Sequence, residues 1–177
     1  NTRNNPIEDI ESHLPLRIHR YELRNDGHAQ GKWRGGIGAV RETEWLEDGG
    51  FSVEGEGQRF PPWGFDGGTD GFTSQIVLQR NNGDSQNLPS KVPYLLAQAG
   101  DRTIVTGPCG GGYGNPLERD PRQVLQDMHD GYISIAEAEQ NYAVIITGDA
   151  TVDVAATEDL RSVRKVALRA TTSAPHE

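Results

Sequence analysis

Five glycines fall within the eight residues Gly107-Pro108-Cys109-Gly110-Gly111-Gly112-Tyr113-Gly114. Glycine loses more conformational freedom on folding than any other residue. A cluster is therefore kept only where the backbone needs positive φ or where something must approach it closely. The cluster follows a β-like run, Arg102 to Thr106, and leads to a strong helix start at Asp120-Pro121. It separates two kinds of chain, strand-forming before it and helix-forming after it.

Before the loop, short runs rich in β-formers alternate with turn residues. Strands are expected at residues 16–24, 39–46, 51–54, 74–79, 91–96 and 102–106. Asn25-Asp26-Gly27, Asp48-Gly49-Gly50, Asn82-Gly83-Asp84 and Ala99-Gly100-Asp101 punctuate them. After the loop, Asp120 can cap a helix whose first position suits Pro121. Val124, Leu125 and Met128 share one face of it. Ser134 and Glu137 have the spacing of a capping box for a second short helix through Tyr142. Residues 143–147 read as a buried strand, and a last helix is expected from Thr157. The predicted fold is α+β, mainly β: an antiparallel sandwich or barrel-like layer followed by short C-terminal helices. The expected organisation is a β-rich region over 1–106, the glycine-rich loop over 107–119, a helical region over 120–170 packed on the same domain, and a tail over 171–177.

Only 34% of the 177 residues are apolar and 22 are glycine, which suits a loop-rich β domain that leans on a partner. A net charge of −9 argues against nucleic acid or an anionic membrane as partner. No stretch reads as a membrane span. One cysteine allows no internal disulfide and fits a reducing compartment, so a cytoplasmic protein is expected.

Three motifs carry the resemblance of this chain to a known family. The first is the glycine loop with its continuation Asn115-Pro116-Leu117-Glu118-Arg119-Asp120-Pro121. The second is Arg59-Phe60-Pro61-Pro62-Trp63-Gly64-Phe65-Asp66-Gly67-Gly68, and the third Leu88-Pro89-Ser90-Lys91-Val92. Together they resemble the C-terminal part of the hydantoinase B/oxoprolinase family, whose loop reads Gly-Gly-Gly-Gly-Tyr-Gly-Asp-Pro-Leu-Glu-Arg-Asp-Pro. Cys109 and Asn115 stand where the family has Gly and Asp. Asn1 replaces an initiator methionine, and the opening residues resemble mid-chain family sequence. The chain is therefore expected to be the C-terminal piece of a longer B-type subunit, or a separately encoded or cleaved part of one.

The resemblance implies an enzyme that opens a cyclic amide, whether a hydantoin, 5-oxoproline or a lactam, at the expense of ATP. It implies ATP and Mg on an A-type partner subunit, a divalent metal in the preceding N-terminal part, and a hetero-oligomer. Two alternatives stay open: a part of an ATP-dependent ketone carboxylase of the acetone or acetophenone type, or a non-catalytic assembly module. No catalytic residue is assigned. The histidines show no zinc spacing, no Gly-x-Ser-x-Gly elbow occurs, and no cofactor or metal is assigned to this segment. The candidate substrate contacts are Gly110, Gly111, Gly112, Tyr113 and Gly114, whose backbone N–H groups could face an anion, with Arg59 and Lys91 as possible anion-binding cations. Against each stands a plainer reading. For the loop it is packing, for Arg59 pairing with a neighbouring acid, and for Lys91 a solvated surface position. Acting alone, the chain is expected to be inactive.

Overall fold

Runs of β-forming residues bounded by turns place most of the strands where the sequence predicts them. The computed structural model describes residues 4–172, with side-chain surroundings over 4–167. The tail from residue 173 lies outside the described residues. The chain divides into two compact units that interleave along the sequence, one of residues 1–26, 37–62 and 72–110, the other of residues 27–36, 63–71 and 111–177.

All the described strands belong to the first unit. They are β1 (Leu16–Leu23), β2 (Ala39–Trp45), β3 (Gly49–Glu54), β4 (Gln75–Gln79), β5 (Ser85–Asn87), β6 (Lys91–Ala97) and β7 (Arg102–Thr106). A short helix, α1 (Ile7–His13), precedes them; it and the three-residue β5 have no counterpart in the sequence reading. One sheet has the order β1-β2-β7-β4-β5 and a second pairs β3 with β6; every pairing is antiparallel. No closed barrel forms among the described residues. The alternating positions Ile76 and Leu78 on β4 are buried with Leu88, and Phe51, Val53, Val92 and Leu95 of the small sheet pack against them. Each fully buried aliphatic side chain of this kind stabilises by about 1.5–3 kcal/mol. Pro93 cannot donate to a ladder, and it sits where the β3–β6 register shifts, between the pairs Phe51–Leu95 and Val53–Val92.

Helices dominate the second unit: α2 (Pro121–His129), α3 (Ile135–Tyr142) and α4 (Val154–Thr172), after a 3-10 turn at Pro116–Glu118. The Asp120 carboxylate accepts from the Arg122 N–H, as its capping role requires. Ser134 and Glu137 close the expected capping box. Val124, Ile133, Ala138, Tyr142, Val144 and Ile146 form the core of this unit.

Two sequence expectations need correction here. Residues 143–147 form no strand. Ala143 takes the left-handed conformation (φ +49°) that ends α3, and Val144 then drops into the helical core. What remains of the β character is a single bridge between Ile146 and Val152. The last helix begins at Val154 rather than Thr157, because Asp153 caps it by accepting from the Ala156 N–H. The Thr157 hydroxyl, expected to open the helix, instead accepts from the Ile145 N–H.

Candidate functional site: an aromatic row on a glycine floor

Three segments of the second unit cross where the glycine loop lies. Trp33 and Tyr113 exchange both backbone hydrogen bonds at 2.9 Å, which makes them a directly opposed antiparallel pair. On the other side, the Phe65 N–H donates to Gly112 O and the Gly114 N–H to Phe65 O, each at 2.9 Å. Opposed residues carry their side chains on the same face. Trp33, Tyr113 and Phe65 therefore stand in a row with Tyr113 in the middle. The Tyr113 and Phe65 rings stack with centroids 5.8 Å apart. All three are open to solvent, at 56%, 49% and 64% exposure, and Trp63 nearby in sequence reaches 79%.

The backbone beneath the row leaves no room for side chains. A Cβ on Gly111 would lie 1.9 Å from the Trp63 carbonyl oxygen, and one on Gly112 would lie 2.0 Å from that of Gln30. Gly31 and Gly68 are equally confined by the backbone of residues 33, 112 and 113. Gly114 is different: its φ of +74° is the left-handed conformation that glycine favours. Both reasons anticipated for the cluster thus occur, at different positions.

Buried charge holds the floor in place. Asp127 on α2 is buried and receives Arg34 Nε at 3.0 Å and Arg119 Nη2 at 2.8 Å. Arg119, from the Pro-Leu-Glu-Arg-Asp-Pro motif, also donates to the Lys32 carbonyl at 3.1 Å, and so ties the Trp33 segment to the helices. Its own carbonyl accepts from Arg161 of α4 at 2.8 Å. His28 is buried beside Tyr142, with Nε2 and the phenol oxygen 3.1 Å apart. Burial, with the cations Arg34 and Arg119 nearby, lowers the His28 pKa against the opposing pull of Asp127 and Glu137. Burial likewise pushes the Tyr142 phenol up to about 12.

The structure brings Gly111, Gly112, Tyr113 and Gly114 together, and Tyr113 is the one whose side chain faces out. Gly110, Arg59 and Lys91 belong to the other unit. Arg59 is exposed and lies over the Phe60 ring, 5.2 Å from its centroid, in place of the acid expected beside it. Lys91 is exposed and pairs with Glu56 at 3.0 Å. Cys109 is fully buried, and its sulfur accepts from the Gly38 N–H at 3.4 Å. Trp33 is the residue that sequence reasoning did not single out. Its signal was an aromatic flanked by glycines, a pattern shared by all three crossing segments. Next to the row, Asn115, Pro116, Leu117, Asn141 and Arg164 line an open groove of about 700 Å³. Among the described residues, no group of three or more His, Cys, Asp or Glu side chains could hold a metal. No described helix is long and apolar enough to cross a membrane. Exposed rings and a rigid backbone suit binding rather than proton transfer.

The family model for hydantoinase B/oxoprolinase matches residues 1–116, well over half of the chain. The chain belongs to this family. It is 53% identical over 92% of its length to a protein of Pseudomonas sp. strain NS671, provisionally named as the B-type subunit of a D-/L-hydantoinase, and covers 28% of that protein. The crystal structure of an ATP-dependent caprolactamase from Pseudomonas jessenii superposes with a TM-score of 0.70 at 36% identity, over 89% of this chain and 28% of that one. A nucleotide-free acetone carboxylase shares the fold, with a TM-score of 0.70 at 22% identity over 97% of this chain and 27% of that one. The chain thus spans little more than a quarter of the length of these relatives.

Proposed function

We propose that this chain is the C-terminal portion of a B-type subunit that takes part in ATP-dependent hydrolysis of a cyclic amide, working with an A-type ATP-binding subunit. The observation that carries this reading is the 53% identity to the B-type hydantoinase relative across 92% of the chain. The caprolactamase likeness extends the substrate class from hydantoins to lactams. The amide bond is hard to break because resonance makes its carbonyl carbon a weak electrophile and its nitrogen is a poor leaving group, and ATP supplies the driving force in such an enzyme. In this reading the divalent metal that the family resemblance implies is held by the part of the B-type polypeptide outside this chain.

The contribution of this chain is to shape and enclose the site. The glycine floor fixes the backbone of residues 111–114 at no cost in side-chain order, and Tyr113 offers a ring to whatever packs on it. Of the candidate contacts, the exposed cations Arg59 and Lys91 are kept as possible substrate contacts, Lys91 by giving up its exposed pair with Glu56, whereas Tyr113 is better accounted for as a packing surface. Gly111 and Gly112 are better accounted for by close packing. By itself the chain is expected to be inactive.

Ketone carboxylation by a similar assembly is the second reading, and the shared fold with acetone carboxylase is what favours it. Turnover of the assembled enzyme with ATP separates the two. Ring opening of hydantoin, 5-oxoproline or caprolactam without bicarbonate supports hydrolysis. Consumption of acetone that requires bicarbonate, with every cyclic amide inert, overturns it.

A further inference from the structure

The aromatic row is built as an anchor, yet among the described residues of its unit nothing covers it. Trp33, Tyr113 and Phe65 expose roughly 300–400 Å² of ring surface between them, taking about 150–250 Å² as the whole area of each such side chain. That is as large as the biggest apolar patch on an ordinary monomer. The row is also rigid. Tyr113 is hydrogen-bonded through its backbone to Trp33, and the adjoining Gly112 and Gly114 bond to Phe65. The floor beneath admits no Cβ at Gly31, Gly68, Gly111 or Gly112 without a backbone clash. Preorganised aromatic residues of this kind are the usual energetic centres of protein interfaces, because little freedom is lost when they are covered.

We infer that the row Trp33–Tyr113–Phe65 is the seat of the rest of the B-type polypeptide, the part that lies outside this chain. The inference rests on the reading of the chain as a portion of such a subunit. Two observations select this occupant over an A-type partner or a second copy. The chain covers only 28% of the caprolactamase chain that shares its fold, so nearly three-quarters of a family-length polypeptide is left to be placed against it. A permanent neighbour also best fits the chemistry of the face. Obligate interfaces are the more apolar class, and a partner tethered in the same protein is present at high effective concentration. A dissociating partner would leave three aromatic rings wet whenever it departed.

Hydroxyl-radical footprinting read by mass spectrometry tests this on three samples: the 177-residue chain, the complete B-type polypeptide that includes it, and that polypeptide with its A-type partner. The expected result is that Trp33, Phe65 and Tyr113 are oxidised readily in the chain alone. In the complete B-type polypeptide, with no A-type partner added, their rates should fall at least about 10-fold. The substitution Trp33→Ser with Phe65→Ser should lower the melting temperature of the complete polypeptide while leaving that of the 177-residue chain within about 2 °C. Protection that arises only on adding the A-type partner overturns the inference. So does protection in the isolated chain that grows with its concentration, which would mean self-association. Rings that stay reactive in every sample overturn it as well. Cyclic-amide turnover is measured on the same assembly. Turnover with unprotected rings sinks this inference alone, and protection without turnover on any cyclic amide sinks the enzymatic reading alone.

Discussion

Replacing Gly112 by alanine is the sharpest perturbation of the glycine floor. The φ of Gly112 is not in the left-handed region, so the cost is steric rather than conformational. The new Cβ would lie 2.0 Å from the Gln30 oxygen, 2.6 Å from the Gln30 carbonyl carbon and 3.2 Å from the Gly31 nitrogen. All three are backbone atoms, so no side-chain rotation relieves the overlap. The two segments must separate by more than about 1 Å, an estimate set by ordinary carbon–oxygen contact distances of about 3.5 Å or less. That movement strains the bonds from Gly112 N–H to Thr69 O and from Phe65 N–H to Gly112 O, both 2.9 Å, and the bond from Thr69 N–H to Gln30 O, 2.8 Å. Overpacking costs about 1–3 kcal/mol, and each backbone bond lost adds about 1 kcal/mol net. The expected total is about 3–5 kcal/mol. Gly36→Ala is the control, because a Cβ there meets nothing within 4 Å and its φ is not positive; it should be neutral or slightly stabilising, by at most about 1 kcal/mol. Urea unfolding followed by tryptophan fluorescence gives both numbers. A Gly112→Ala variant within about 1 kcal/mol of the parent would refute the steric account of the glycine cluster.

Three further outcomes follow from the buried polar groups and from the groove. Asp127→Asn leaves Arg34 and the buried Arg119 without their carboxylate and should destabilise by about 3–5 kcal/mol in the same unfolding assay, whereas replacing Arg119 and Asp127 together by Met and Leu should cost less. Because the His28 pKa is lowered in the folded chain, the unfolded chain takes up a proton first as pH drops below about 6.5, and stability should fall from there downward. The urea midpoint should therefore decline less steeply on acidification from neutral pH in His28→Gln than in the parent; equal slopes would remove His28 from the account. Ala167→Trp, which fills the groove beside Pro116 and Arg164, should lower turnover of the assembled enzyme if substrate or a partner enters there, and leave the melting temperature of the chain within about 2 °C.

Much of the fold was legible because its determinants are local. Runs of β-forming residues between Gly, Asn and Asp turns marked β2, β4 and β7, the Asp120-Pro121 pair marked α2, and the Ser134–Glu137 spacing marked α3. Errors arose where tertiary contact decided the outcome. Residues 143–147 have strand-forming composition, but the left-handed Ala143 and the pull of the helical core on Val144 end any ladder. Helix α4 starts early because Asp153 is the better cap, a choice that needed comparison of two neighbouring candidates. The candidate site was half legible. The glycine cluster and Tyr113 announced themselves, since five glycines in eight residues demand a reason. Trp33 did not, and Phe65 stood out only as one residue of the Arg59–Gly68 motif. No local signal tells that three glycine-flanked aromatics so far apart along the chain will meet; their union is a matter of long-range backbone pairing.

The central claim is that this chain takes part in ATP-dependent cyclic-amide hydrolysis only within a larger assembly. The most direct test is phosphate release and ring opening, measured with hydantoin, 5-oxoproline and caprolactam, for the 177-residue chain, for the complete assembly, and for the assembly lacking this chain. The account predicts coupled ATP consumption and ring opening in the complete assembly and in neither of the other two. Turnover by the isolated chain at a rate comparable with the complete assembly, or full activity of the assembly without it, would contradict the account.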